Sequence, residues 1–446
     1  MPTENVVISL IVPIVAWVAG QINGLHDEQQ AKAVLEAAAY PGALGPAAIA
    51  LVGGPTAERA PYFTLSELQH GRLYVPVVWA HVGGGGWPYE KQELDQKVWN
   101  HLRSFRYLER LQISWCSPAQ TLDADFSGFA HLKRVAISNT AFPPRDIRTL
   151  ERLPQLRDAI FTKKEGMDQW LPSVGQLRNL RTLEIGGDAS DQGLGNLAGL
   201  GSLESLSVVS DRITSNVVST LAKLKKLGAL TLSDARIDDE GLRQLAALKT
   251  LRALEVRGSD AISDRGVSFL EALEALESLK LDSKRVTSKS GPTLARMKHL
   301  KALLLPNTQF GDEGLRSLRD LKGLTGLDLS GTLVTNVGEE LRFPELGLLY
   351  LDDTKLTDEG MRYLSRLPKL RLLTIPGTRV TNASIDTLAA MPSLMQVYAY
   401  DTQIDEASPE WLRLLETLKR RRASELATVM SRSMQKQPWI QSLMGH

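Results

Sequence analysis

Tyrosine and aspartate residues lie close together near the end of the sequence. Three tyrosines each have an aspartate within three positions. These residues are Tyr350, Tyr398 and Tyr400 with Asp352, Asp353 and Asp401. A tyrosine ring provides a broad apolar face and a hydroxyl, and a carboxylate attracts lysine or arginine. The pattern is therefore typical of a protein-binding surface. The alternative is that tyrosine simply suits β-strands and that a C-terminal cap covers it.

No catalytic signature accompanies these residues. The sequence contains no HExxH, GxSxG or Walker lysine motif and no pair of cysteines. Its seven histidines are scattered, without the spacing of metal ligands. The glycine run from Gly83 to Gly86 lacks the Lys-Ser/Thr that a phosphate-binding loop needs. We therefore expect a non-catalytic protein without a cofactor or a bound metal.

Charge and cysteine content limit the classes of partner. The 446 residues include 52 basic and 51 acidic side chains, which leaves a net charge of +1. This balance produces no overall field that attracts nucleic acid, so no nucleic-acid partner is expected. The single cysteine, Cys116, excludes an internal disulfide, and we expect it to be a small buried residue.

The N-terminus begins with an apolar run at residues 6–22 that has only two polar side chains. A run of this length is near the minimum that spans a bilayer. Three interpretations remain: a membrane anchor or uncleaved signal, a signal cleaved after Ala19 or Gly20, and a buried core helix. The sequence favours the anchor, with a secreted or a cytoplasmic protein as the alternatives. No lysine or arginine lies beside the run, so the side of the membrane is not predicted.

The elements that must position the tyrosines form an internal repeat of xLxxLxLxxTxITDEGLxxLxxLx, in which a strand pattern precedes a helix pattern. Steps of 24 residues separate the copies, apart from single steps of 22, 23 and 25. A unit of this size cannot bury both apolar faces alone, so the copies must stack. The repeats begin at Tyr107, His131, Gln155, Asn179, Ser202, Lys226, Thr250, Ala275, His299, Gly323, Glu345, Lys369 and Ser393.

This pattern resembles the leucine-rich repeat family. The nearest subtype is the cysteine-containing kind, which is found beside F-boxes and in bacterial membrane-anchored proteins; position ten is Cys116 in one repeat and mostly threonine in the others, as in Thr354. The resemblance implies an α/β fold, a right-handed solenoid or horseshoe of about thirteen repeats with a concave parallel sheet. It implies no particular ligand.

The pattern also predicts which residues are buried. Positions two, five, seven, twelve, seventeen, twenty and twenty-three should point inward. In one repeat these are Leu227, Leu230, Leu232, Ile237, Leu242, Leu245 and Leu248. Threonine at position ten should bond the turn backbone. Position thirteen or fourteen, for example Thr357 or Asp358, should cap the helix that follows.

Strand positions four, six and eight should point away from this core. They are small or polar in the middle repeats and become apolar or aromatic near the C-terminus. Positions six of successive repeats should form one row of Tyr350, Thr374 and Tyr398, since neighbouring strands lie about 5 Å apart. The predicted binding site on the concave face consists of Tyr350, Tyr398, Tyr400, Leu348, Leu372, Asp352, Asp353 and Asp401.

Four segments follow from these patterns. Residues 1–25 are the anchor or signal, and residues 26–106 are an N-terminal cap. This cap is predicted to contain helices at 27–39 and from Leu94 to Leu108. Residues 107–416 are the repeats, and residues 417–446 are a C-terminal helical cap. The run from Lys419 to Arg422 is interpreted as the solvated face of this cap, with a lipid or nucleic-acid contact as the alternative.

Two function classes remain open. The first is a membrane-tethered scaffold that binds a protein or peptide on the concave face. The second is the substrate-recognition subunit of a ubiquitin-ligase-like or secreted effector system, which the F-box-associated repeats suggest. Residues 26–106 lack the Leu-Pro opening and helical pattern of an F-box. The sequence therefore favours the scaffold.

Overall fold

The computed structural model describes residues 48–52, 62–64, 79–83, 92–103, 105, 108–335, 338 and 342–435. The apolar run at 6–22, the predicted helix at 27–39 and residues 436–446 lie outside these ranges. The chain divides into two compact units. The first unit is Met1–Arg212 with Lys223–Lys226, and the second is Ile213–Ala222 with Leu227–His446.

The strands of the first unit pair in parallel where they belong to repeats. They are β5 (Arg110–Ser114), β7 (Arg134–Ser138), β8 (Asp158–Lys163), β9 (Thr182–Gly187) and β10 (Ser205–Val209). Before them, β1 (Ala48–Val52) pairs antiparallel with β2 (Tyr62–Thr64) and β3 (Trp79–Gly83), and β3 lies parallel to β5. A separate parallel pair consists of β4 (Gln92–Leu94) and β6 (Cys116–Pro118).

The helices of the first unit are short: α1 (Gln96–Arg103), α2 (Pro144–Arg148), α3 (Leu171–Val174) and α4 (Asp191–Leu194). The predicted helix from Leu94 to Leu108 is wrong at both ends. Leu94 is the last residue of β4. Asp95 caps the N-terminus of α1, because its carboxylate accepts the Val98 amide at 2.8 Å. Trp99 of α1 is fully buried, and its ring meets the Phe126 ring edge-on with the centroids 4.9 Å apart.

Every repeat of the second unit contributes one strand, and each strand pairs in parallel with the next. The strands are β11 (Ala229–Ser233), β12 (Ala253–Arg257), β13 (Ser278–Leu281), β14 (Ala302–Leu304), β15 (Gly326–Asp328), β16 (Leu348–Tyr350), β17 (Leu372–Thr374) and β18 (Gln396–Tyr398). This repetition of strand and helix is the predicted α/β solenoid.

The helices of the second unit are α5 (Val218–Leu221), α6 (Asp239–Leu245), α7 (Asp264–Phe269), α8 (Gly291–Arg296), α9 (Asp312–Ser317), α10 (Asp358–Leu364), α11 (Ile385–Ala390) and α12 (Pro409–Gln435). The repeat that begins at Gly323 is two residues short, and its described residues contain no helix.

Inward positions are buried as the repeat predicts. Leu230 is 1% exposed and Leu232 is fully buried, and the other inward residues of that repeat are buried as well. In four successive repeats, from Thr308 to Thr378, the threonine at position ten is also buried, and its hydroxyl donates to the carbonyl of position seven. In two neighbouring repeats, Thr332 reaches Leu329 at 2.6 Å and Thr354 reaches Leu351 at 2.7 Å. This bond satisfies the carbonyl at the point where the chain leaves the strand.

The aspartate that follows the helix cap connects neighbouring repeats. The Asp358 carboxylate accepts the Thr381 amide at 3.0 Å and its hydroxyl at 2.7 Å, so it does not cap its own helix as predicted. Asp264 binds Thr287 in the same way. The prediction holds at position thirteen, where Asp238 accepts the Gly241 amide at 2.8 Å. The reason is geometric: the side chain at position fourteen lies beside the next repeat.

Helix α12 covers the end of the second unit and crosses the predicted boundary at residue 417. Its inner stripe, Trp411, Leu414 and Leu418, is at most 4% exposed. Arg421 continues this stripe and donates to the carbonyls of Ala389, Met391 and Leu394, which lie at the end of α11 and in the loop after it. One arginine of the predicted basic run therefore has a structural role, while Lys419, Arg420 and Arg422 are exposed.

Candidate protein-binding site

Strand register brings the predicted tyrosine row together. Tyr350 of β16 pairs with Thr374 of β17, and Thr374 pairs with Tyr398 of β18. The row continues in the other direction through Asp328 and Leu304. Because parallel strands lie about 4.8 Å apart, these side chains are lateral neighbours on one face of the sheet.

Large apolar side chains are exposed on this face. Leu348 is 43% exposed, Tyr398 is 45% exposed and Tyr400 is 56% exposed. Tyr350 and Leu372 are half-buried. We call these five residues the tyrosine patch. The described part of α12 leaves Tyr398 and Tyr400 open to solvent, although the opposite was the alternative interpretation of the sequence. A contiguous apolar surface of this kind is typical of an interaction site.

Two contacts hold the row in place. Thr374 is in register with both tyrosines, as predicted, but it is only 6% exposed, and its hydroxyl donates to the Asp352 carboxylate. The outer surface of the row is therefore formed by its tyrosines. The Gln396 amide donates to the Tyr398 hydroxyl, which orients that ring. Gln396 was not among the predicted site residues, although a glutamine two residues before a tyrosine lies on the same side of a strand.

Four aspartates, Asp328, Asp352, Asp353 and Asp401, lie beside the patch at or just after the strand ends; we call them the acidic rim. Asp353 and Asp401 have left-handed backbones, with φ of 55° and 56°. The Asp353 carboxylate lies over Gly377, where an added Cβ would collide with it. Glycine is therefore required next to this acid.

The acidic rim is not neutralised within the described chain. Burial raises the pKa of Asp352, repulsion from Asp328 and Asp353 adds to the increase, and the Thr374 hydrogen bond opposes it. Among the described residues, no lysine or arginine lies within 4.0 Å of the four rim carboxylates. The rim therefore concentrates negative charge next to an apolar surface.

The same face has a different character at β12 and β13. Glu255 accepts Arg257 Nε at 3.0 Å and Lys280 Nζ at 3.2 Å. Arg257 also donates to the Ser233 hydroxyl at 3.0 Å. We call Glu255, Arg257 and Lys280 the charge ladder. Glu255 is therefore paired twice within the chain and does not need a cation from a partner.

Other candidate chemistry is weak. Burial raises the pKa of the Cys116 thiol to about 11, so it is protonated at neutral pH and is not a nucleophile. The described ranges contain no group of three or more His, Cys, Asp or Glu side chains that could hold a metal ion. No helix in the same ranges is both long enough and apolar enough to cross a membrane.

Comparisons with known proteins agree with this geometry. The family model described as leucine-rich repeat region matches residues 92–355. An internalin from Listeria monocytogenes is 20% identical with a TM-score of 0.50, over 77% of this chain and 91% of its own. A chain of the Toll–Spatzle complex from Drosophila is 15% identical with a TM-score of 0.50, over 76% of this chain and 45% of its own.

A third solved structure, a leucine-rich-repeat protein from Leptospira interrogans, is 16% identical with a TM-score of 0.44, over 80% of this chain and 97% of its own. Among curated protein sequences, none matches significantly. The family match covers more than half of the chain and agrees with its repeat pattern and its parallel strands. This chain therefore belongs to the leucine-rich repeat family.

Proposed function

We propose that this protein is a non-catalytic scaffold that binds another protein through the tyrosine patch and the acidic rim. The observation that carries the proposal is the exposed patch itself. Leu348 and Tyr398 lie on strands whose core residues are buried, Tyr400 lies in the turn after one, and all three are between 43% and 56% exposed. Tyrosine is enriched among the residues that dominate protein–protein binding energies. In one structure of this fold, Toll is in complex with the protein Spatzle.

The test is partner capture with a double variant, Tyr350→Ala with Tyr398→Ala. Neither residue belongs to the core, so we expect the thermal melt to be unchanged. Partner capture should weaken by about 2 kcal/mol or more if these residues are hot spots. Capture from a lysate of the source organism, quantified by mass spectrometry, measures the effect.

A matched control is Thr231→Ala with Lys280→Ala, which are the same strand position in β11 and β13. This control should capture the partner as the wild type does. Equal capture by the patch variant and the wild type, with equal melts, would show that the tyrosines are ordinary strand surface. A large loss of thermal stability would instead show that the tyrosines pack against part of the chain.

The cysteine-containing subtype and the membrane tether are further parts of this proposal. Residues 6–22, which lie outside the described ranges, motivate the tether because they are almost wholly apolar. Deleting residues 1–24 should move the protein from the membrane fraction to the soluble fraction. If the intact protein is already soluble and unprocessed without detergent, there is no tether. That result would favour the alternative substrate-recognition subunit.

A further inference from the structure

Two parts of one sheet face differ in charge, and this difference indicates the chemistry of the ligand that binds the tyrosine patch. At β12 and β13, the charge ladder pairs one acid with two cations at 3.0 and 3.2 Å. At β15 to β18, the acidic rim has four carboxylates beside an apolar surface and no cation in the described chain within ion-pair distance. Within the described chain, the lack of a paired cation therefore distinguishes this region from β12 and β13, although both have the same repeat.

A cation from outside would relieve the repulsion within the rim. Asp352 is half-buried, and the negative charges of Asp328 and Asp353 disfavour its ionised form. The nearby tyrosine rings add a second attraction, because a guanidinium or ammonium group is favourable over an aromatic face. An apolar side chain alone would satisfy the patch and leave the rim unpaired.

We infer that the occupant is an extended basic segment of another protein, which presents an arginine or lysine to Asp352 and Asp353. This inference rests on the proposed function. Strand spacing defines the segment further. Tyr350 is two residues before Asp352 and Leu348 is four residues before it, so the chain between them spans at most about 7 and 13 Å. A segment that follows β16 thus has apolar residues two and four positions from its basic residue.

Helix α12 offers one competing occupant, because a second copy could dock its exposed face on the patch. Leu412 is 54% exposed and Leu415 is 39% exposed, with Lys419 and Arg422 on the same side at helical spacing. A segment of another protein is favoured because only two leucines of this helix face are described as exposed, which is a small apolar area for a stable dimer.

The experiment is selection of a random twelve-residue peptide library displayed on phage, with the full chain as the target. We expect enrichment of peptides that contain one Arg or Lys, with one apolar residue two positions away from it and another four positions away. The variant Asp352→Asn with Asp353→Asn should keep the apolar preference and lose the basic one. For one enriched peptide, its Kd should rise at least tenfold.

The matched control is Asp211→Asn with Asp260→Asn, which removes the same charge from exposed loop positions. Its Kd should change less than twofold. Enrichment of apolar peptides without Arg or Lys would overturn this inference and leave the proposed function standing. If the tyrosine double variant is the only variant that enriches no peptides, the proposed function is supported. If it enriches the same peptides as the wild type, the proposed function is contradicted.

Light scattering separates the second-copy alternative. A monomer at the concentration used for peptide binding supports a segment of another protein. A dimer that dissociates on Lys419→Glu with Arg422→Glu, and that blocks peptide binding while it persists, would overturn the inference. Thermal melts of all variants confirm that they are folded.

Discussion

The charge ladder and the acidic rim occupy equivalent places on the same sheet face, yet their chemistry is opposite. Glu255 and Lys280 are paired at position six of β12 and β13, whereas Asp328 and Tyr350 hold that position in β15 and β16. The backbone register is the same in both regions. The comparison shows that the repeat constrains the inward residues strongly and leaves the outward residues available for binding.

The largest expected effect is on stability, and it tests whether the two regions depend equally on their buried leucines. Leu254→Ala in β12 and Leu349→Ala in β16 each remove a side chain that is 1% exposed. Each should lower the free energy of unfolding by about 2–5 kcal/mol, because a cavity remains. Leu348→Ala, which removes the exposed neighbour of Leu349, should cost less than about 1 kcal/mol. Urea unfolding measures all three.

Hydrogen exchange adds a spatial test of the same variants. Repeats contact only their neighbours, so protection should be lost first in the repeats beside the substitution. The Leu303→Ala variant, at a fully buried position of β14, should likewise lose protection first around residues 275–344. Uniform loss of protection along the chain would contradict local coupling.

A smaller effect should come from Asp352→Asn, and its sign should be stabilising. The raised pKa of Asp352 means that its ionised form is disfavoured in the folded protein. Removing the charge should raise the free energy of unfolding at pH 7 by up to about 1 kcal/mol, since like charges on neighbouring strands destabilise a sheet. The asparagine oxygen can still accept the Thr374 hydroxyl.

The pH dependence follows from linkage. The folded wild type holds the Asp352 proton more tightly than the unfolded chain, so its penalty is present above the folded pKa and disappears below the ordinary value of 3.8. The advantage of the variant should therefore be greatest at pH 7 and shrink as the pH falls through the raised pKa. A constant difference between pH 7 and pH 3 would argue against charge repulsion as the cause.

The smallest effect, with the opposite sign, is expected for Glu255→Gln in the charge ladder. This change removes the acid that pairs with Arg257 and Lys280. It should lower the free energy of unfolding by about 0.5 kcal/mol, because exposed ion pairs contribute little. The loss should shrink at high salt, where exposed charges are screened. A stabilising result would show that the ladder and the rim are not electrostatic opposites.

Some site properties could be predicted from the sequence because they depend on local spacing. Alternation along the strand places Leu349 inward and Tyr350 outward, and a regular step between repeats aligns Tyr350, Thr374 and Tyr398. The burial of Thr374 could not be predicted in this way. It depends on the Asp352 side chain of the preceding repeat, and thus on a hydrogen bond across strands.

By itself, the sequence determined the repeat, the inward leucines, the outward tyrosines and the α/β solenoid, since each follows from periodicity along the chain. Only the tertiary structure decided that Asp358 binds the next repeat and that the described part of α12 leaves Tyr398 and Tyr400 exposed. It also decided that Glu255 pairs with two cations, whereas no described lysine or arginine lies within 4.0 Å of the Asp352 carboxylate. The physical reason is distance. Electrostatic and hydrogen-bond energies depend on a few ångströms between side chains of different repeats, and spacing along the chain does not specify those separations.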